Sequence, residues 1–190
     1  MTSPLDPSLR ASLLEAVRKR ALKTGVQVKL ASGQTSNYYV NCKFLTLHGP
    51  SLQIVGKAIA AWLKGQAQRP EQIGGVSVGG DPMVAAAIWA AADLGWEPDG
   101  LLVRKEAKSH GMSQGKAVEG AEPRGGVWLL EDVISTGGSL RTAVDNLKRE
   151  GYRLDGILAI VDRQMGGVER LRADLGVPVE AFFRIDEITG

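Results

Sequence analysis

Val127-Trp128-Leu129-Leu130-Glu131-Asp132-Val133-Ile134-Ser135-Thr136-Gly137-Gly138-Ser139 is the run on which the fold turns. Apolar β-forming residues stop at two adjacent carboxylates, pass through small residues, and open into Leu140, Ala143, Val144 and Leu147 at helical spacing. The pattern predicts a buried strand, a turn and a helix. Carboxylates at the carboxyl end of a buried strand lie where open α/β sheets bind ligands, and a helix N-terminus offers unpaired N–H groups to an anion. One end of such a site takes polyol hydroxyls or a metal-bound group, and the other takes a phosphate. Glycines let a phosphate approach the backbone, because no Cβ stands in the way. The run holds neither the Gly-Lys-Ser/Thr ending of a Walker A loop nor a Gly-x-Gly-x-x-Gly turn, which disfavours nucleotide triphosphate hydrolysis and Rossmann redox chemistry. A plainer reading has Glu131 and Asp132 ending a strand and the loop capping an ordinary helix.

Working outward, strands are expected at 73–79, 99–105, 125–132, 154–162 and 177–185, with helices at 82–93, 139–150 and 168–175 between them. Alternation of this kind predicts an α/β fold with a central, mostly parallel sheet flanked by helices. Upstream, Asp6-Pro7-Ser8 reads as a capped helix start, with Gly25 as its end. Arg18, Lys19, Arg20 and Lys23 then fall in its last turns, where cations complement the helix dipole. Residues 26–43 read as a hairpin, in which adjacent Tyr38 and Tyr39 must face opposite sides. Residues 45–50 read as a linker, His48 having no metal-ligand partner at useful spacing, and 50–63 as an amphipathic helix.

The 190 residues carry 23 basic and 21 acidic side chains, a net charge of +2. No global field therefore recruits nucleic acid or membrane. The single cysteine, Cys42, forms no internal disulfide, no leader pattern is present, and a cytoplasmic location is the default expectation. Apolar stretches such as 83–92 are too short to span a bilayer.

Three further segments converge on the same sheet edge. Gly79-Gly80-Asp81-Pro82 follows the first sheet strand and could admit a diphosphate close to backbone N–H groups. The stretch after Val103 carries Arg104, Lys105, Lys108 and His110 among glycines, is too long for a turn, and reads as a lid for a polyanion, the bland alternative being a solvated charged loop. Arg163, at the tip of the strand at 154–162, suits paired hydrogen bonding to a carboxylate, the alternative being a structural ion pair.

The opening run resembles the phosphoribosyl diphosphate (PRPP) motif of type I phosphoribosyltransferases: four apolar residues, two acids, two apolar residues and a Ser/Thr/Gly loop. Ala31-Ser32-Gly33, Ser36, Tyr38-Tyr39, Asn41 and Lys43 resemble an N-terminal signature of orotate phosphoribosyltransferases, and Arg104-Lys105-Glu106-Ala107-Lys108-Ser109-His110-Gly111 resembles their catalytic loop. The resemblance runs from about Lys29 to Gln164. It implies a type I phosphoribosyltransferase fold in one domain, residues 1–190, with an N-terminal helix and small hood at 1–48 and an α/β core at 49–190 bearing a mobile lid loop at 105–124. The activity it implies is Mg²⁺-dependent transfer of ribose 5-phosphate from PRPP to orotate, giving orotidine 5′-monophosphate and diphosphate, a step of de novo UMP synthesis.

The same resemblance assigns roles. Arg104, Lys108 and His110 neutralise the leaving diphosphate, and Glu131 and Asp132 orient ribose hydroxyls or metal-bound water. Ser135, Thr136, Gly137, Gly138 and Ser139 hold the 5′-phosphate, Val133 and Ile134 belong to the same substrate-binding run, and Arg163 meets orotate. Tyr38, Tyr39 and Lys43 bind from the hood, and Lys105 reaches the PRPP of the neighbouring subunit in a homodimer. Mg²⁺ is held mainly by PRPP and water, with no metal site made of protein ligands. There are departures: Ala31 stands where some relatives have lysine, Lys29 lying two residues earlier, and the turn at 79–82 lacks a Tyr-Lys pair. A PRPP-sensing regulator is disfavoured by the cationic segment, and a purine phosphoribosyltransferase by Tyr38-Tyr39 and Arg163.

Overall fold

The computed structural model describes residues 5–29, 35–106 and 115–190. Helix α1 (Pro7–Arg20) starts as its sequence predicts, with Asp6 Oδ1 accepting the N–H groups of Ser8 and Leu9 at 3.0 and 3.1 Å. It stops at Arg20 rather than Gly25, because Leu22 already opens strand β1 (Leu22–Lys29) and pairs with Val40 of the antiparallel β2 (Thr35–Val40). Leu22 continues the apolar spacing of the helix, so periodicity alone does not separate the two states. Gly25, at φ +72°, occupies the irregularity between Thr24 and Val28. Arg18 does not serve its own helix end: its Nε and Nη2 donate to the carbonyls of Ile188 and Glu187 in the final helix.

The expected linker contains a short helix, α2 (Lys43–Thr46), before α3 (Gly49–Lys64). His48 joins these parts. Arg20 Nη2 lies 2.8 Å from His48 Nε2, and since a guanidinium only donates, Nε2 accepts and Nδ1–H points at Ser51 Oγ, 2.9 Å away.

The main sheet is built from β3 (Gln72–Val76), β4 (Asp99–Val103), β5 (Val118–Gly120), β6 (Gly126–Ile134), β7 (Arg153–Asp162) and β8 (Val179–Arg184), in the order β5-β4-β3-β6-β7-β8. Every pairing is parallel except β4 with β5. Helices α4 (Asp81–Ala92), α5 (Gly138–Arg149) and α6 (Gly167–Leu175) connect the strands, and a last turn, α7 (Ile185–Thr189), follows β8. β5 corrects the reading of 105–124 as loop: Val118 is buried opposite Val103, so the last part of that segment belongs to the sheet. Three residues are too few for a periodic signal.

β6 reads as a continuous apolar run because both of its faces are covered. Val127 and Leu129 share a buried cluster with Leu140, Ala143 and Leu147 of α5. Trp128 and Leu130 join the opposite cluster with residues of α1, α3 and α4. The Trp128 ring meets Trp62 edge-on at 5.0 Å and lies against Gly156, where an added Cβ would come within 2.6 Å of it.

Candidate active site

From β3 the chain moves outward to β4 on one side, while β6 begins on the other side and leads to β7 and β8. The order therefore reverses between β3 and β6, and a crevice for ligand opens at their carboxyl ends. The turn after β3 is braced by Ser77, whose N–H donates to Val103 O at 2.9 Å and whose hydroxyl donates to Asp81 Oδ1 at 2.8 Å. Gly79 of this turn lies directly against Asp132. A Cβ there would stand 2.6 to 2.8 Å from all three atoms of the carboxylate group, so the acid keeps its position only because residue 79 has no side chain.

Across the crevice, Gly137 adopts φ +82° and turns the chain into α5. Among the described residues no side chain caps that helix, and no acidic residue occupies its first turn, which leaves its leading N–H groups for an anion. A cavity of about 220 Å³ is lined by Lys105, Glu131, Asp132, Val133, Ile134, Ser135, Thr136, Gly137, Gly138, Ser139 and Leu140. The acid pair, the phosphate-type loop and one lysine thus meet in one space.

Glu131 is 8% exposed. Burial first, and then the charge of Asp132, push its carboxyl up to about 8, against a smaller opposing effect of Lys105. Its Oε1 accepts the Asp132 N–H at 3.3 Å. The buried Cys42 thiol is also raised, chiefly by burial and next by Asp132, so the segment leading out of the hood reaches the field of the acid pair. Sequence reasoning missed Cys42 in this role, and an isolated cysteine gives no pattern that would find it.

Other expected residues stand apart from the cavity. Arg104 forms an ion pair with Glu119, Nε to Oε1 at 2.8 Å, on the β4–β5 hairpin. Tyr38 packs partly buried on the cluster of α1, α3 and α4, whereas Tyr39 is exposed, the opposition that strand alternation predicts. Lys43 opens α2 beside Cys42. Arg163 donates its backbone N–H to Ile134 O at 2.9 Å, and its Nε is buried with no hydrogen-bond partner among the described residues. An unpaired buried guanidinium N–H is costly, and a ligand acceptor at this strand end would relieve it. Lys108, His110 and Ala31 lie outside the described residues.

Among the described residues no three His, Cys, Asp or Glu side chains converge as a metal cage. Two adjacent carboxylates in a phosphate crevice fit a hard divalent ion that takes most of its ligands from phosphate oxygens and water.

No family model matches the chain. Orotate phosphoribosyltransferase of Streptomyces avermitilis is 37% identical over 184 residues, 95% of this chain and 97% of that protein. The crystal structure of Mycobacterium tuberculosis orotate phosphoribosyltransferase in complex with Fe(III) dicitrate superimposes with a TM-score of 0.80 at 30% identity, covering 95% of this chain and 98% of the other. The same enzyme in complex with PRPP gives 0.77 at 27% identity, covering 96% and 99%. With relatives this similar over nearly their whole length, and with an acid pair and an open helix N-terminus sharing one crevice, the chain belongs to the orotate phosphoribosyltransferase family.

Proposed function

We propose that this protein transfers ribose 5-phosphate from PRPP to orotate, forming orotidine 5′-monophosphate and diphosphate in pyrimidine nucleotide synthesis. The observation that carries the reading is the single cavity shared by Glu131, Asp132, the loop 135–139 and Lys105. Glu131 and Asp132 accept hydrogen bonds from the ribose hydroxyls. The N–H groups at the start of α5, with Ser135, Thr136 and Ser139, hold the 5′-phosphate. Lys105, with Lys108 and His110, offsets the negative charge that builds on the departing diphosphate, and Arg104 joins them on leaving its ion pair with Glu119. Glu131 and Asp132 would hold Mg²⁺ through water, and the ion would supply further charge neutralisation at the diphosphate. Arg163 pairs with the orotate carboxylate, a role supported by its buried Nε, which has no partner among the described residues. The hood at 1–48 covers the pyrimidine bound to the core at 49–190, with exposed Tyr39 and Lys43 as its contacts and Tyr38 anchoring the strand to the core.

Incubating the purified protein with PRPP, Mg²⁺ and either orotate or a purine base, while following diphosphate, tests the reading. Diphosphate release with orotate alone is expected. Release with a purine instead would overturn the substrate assignment.

The raised carboxyl of Glu131 gives a pH signature. Below about 8 the unliganded protein holds Glu131 neutral, so binding that uses its carboxylate must first expel a proton. Affinity for PRPP in the wild type, relative to Glu131→Gln, should rise as pH climbs from 6 toward 8, by at most about tenfold per unit, and then level off. Stability runs the opposite way. The folded chain keeps a proton that the unfolded chain has lost, so rising pH toward 8 costs the wild type stability and spares Glu131→Gln. Parallel pH curves for the two proteins, in binding or in melting, would refute this account.

We further propose a cytoplasmic homodimer. Exposed Phe44 of α2, Leu47 just after it, Val78 of the β3–α4 turn and Trp89 of α4 supply apolar surface for the contact. Family resemblance sends Lys105 to the neighbouring subunit's PRPP. A second reading, favoured by its place in the lining of its own chain's cavity, keeps it within one subunit. Mixing Lys105→Ala with Glu131→Ala subunits separates the two: regained activity means action across the interface, and none means action within the chain.

A further inference from the structure

Asn146 interrupts the apolar stripe of α5. Its companions Leu140, Ala143, Val144 and Leu147 are fully buried, and Asn146 is itself only 5% exposed. A primary amide is costly there unless its donors and its acceptor are matched. They are: Nδ2 donates to the carbonyls of Arg104 at 2.8 Å and Lys105 at 3.1 Å, and Oδ1 accepts from Arg149 Nη1 at 2.9 Å.

One turn further on, at the C-cap of α5, Glu150 Oε1 accepts the N–H groups of Ala117 at 2.5 Å and Val118 at 3.2 Å. The two stems are also joined to each other, since Arg104 N–H donates to Ala117 O at 2.8 Å. The same helix therefore grips the chain where it leaves β4 and again where it enters β5. Core packing alone would be met by a leucine at position 146. An amide whose two N–H bonds both go to residues 104 and 105 serves the backbone that carries Lys105, the cation in the cavity lining.

We propose that Asn146 is a positioning residue that fixes the Arg104–Lys105 backbone so that the Lys105 ammonium stands at the cavity that takes the phosphorylated substrate. This rests on the PRPP reading above and, for Lys105, on its second form, in which the lysine serves its own chain's cavity. A lysine side chain is long and flexible, so the fraction of time its charge spends at the cavity depends on the backbone from which it hangs. Loosening that backbone lowers the binding-competent fraction, and apparent affinity falls by the same factor. Glu150 holds the returning stem in the same manner.

Calorimetric titration of PRPP into wild type, Asn146→Ala, Lys105→Ala and the double variant tests the proposal, with thermal melting as the folding control. Asn146→Ala should weaken PRPP binding by about tenfold in the wild-type background and by less than about twofold once Lys105 is absent. The KM for orotate at saturating PRPP should stay within about twofold of wild type. Equal losses with and without Lys105, or no loss at all, would overturn the positioning role while leaving the parent reading intact. Wild-type protein that bound no PRPP would overturn both. If Asn146→Ala does not fold, Glu150 gives the same test: Glu150→Ala should weaken PRPP binding only when Lys105 is present, and Glu150→Gln, which keeps an acceptor oxygen, should restore it. Additive losses in that series defeat the proposal equally.

Discussion

Gly79→Val is expected to lower turnover by about two orders of magnitude while shifting the melting temperature by only a few degrees. The cause is contact, not backbone strain, because Gly79 is not among the positive-φ glycines. A first added carbon would already stand 2.6 Å from Asp132 Cγ and 2.7 and 2.8 Å from its two oxygens. Asp132 is only partly buried, so its carboxylate gives way instead of the strand. A reacting group misplaced by about 1 Å can cost roughly 10²-fold in rate. Gly79→Ala should move in the same direction by a smaller step, and Asp132→Asn, which keeps the shape but removes the charge, should match Gly79→Val in turnover. Steady-state kinetics beside a thermal melt checks the set. Full turnover in Gly79→Val would mean that Asp132 is not needed where it stands.

Trp128→Ala should have the largest effect on stability, about 3–5 kcal/mol, as expected for emptying a buried aromatic site. Trp128 is 3% exposed, and its ring is enclosed by the Trp62 ring on one side and the bare backbone of Gly156 on another. Edge-on aromatic pairing adds about 0.5–1.5 kcal/mol beyond burial. For a chain of this size the loss corresponds to a fall in Tm of about 10 °C, readable by calorimetry. Trp128→Phe should recover part of it. Since Trp128 points into the α1, α3 and α4 cluster and away from the cavity, protein that is still folded at low temperature should keep most of its activity. An unchanged Tm would show that the layer has repacked.

β6, its loop and α5 were legible in the sequence because each reports itself locally. A two-sided apolar run marks a buried strand, and a stretch of small residues followed by helical spacing marks the turn. Placing Glu131 and Asp132 at the ligand edge needed no more than that. The boundary at Leu22 was not legible, since an apolar residue in phase with a helix also suits a strand, and only its pairing with Val40 decides. β5 and α7 are too short to show a period, and their stability comes from neighbours distant in sequence. The same holds for the contacts that complete the site. Gly79 meets Asp132, and Asn146 meets Arg104 and Lys105, across more than forty residues of chain, and neither meeting leaves a local trace. A polar residue on an otherwise apolar helix stripe was the one available clue to Asn146.

The partnership of α1 with α7 bears on how the polypeptide matures. Arg10 pairs with Glu187 across 177 positions, and Arg18 caps carbonyls 169 and 170 positions away. A ribosome makes α1 long before α7, so these cations wait in water until positions 187 and 188 have been added. Locking α1 in place therefore follows the synthesis of α7, and a chain stalled before position 187 would emerge with α1 still unlatched.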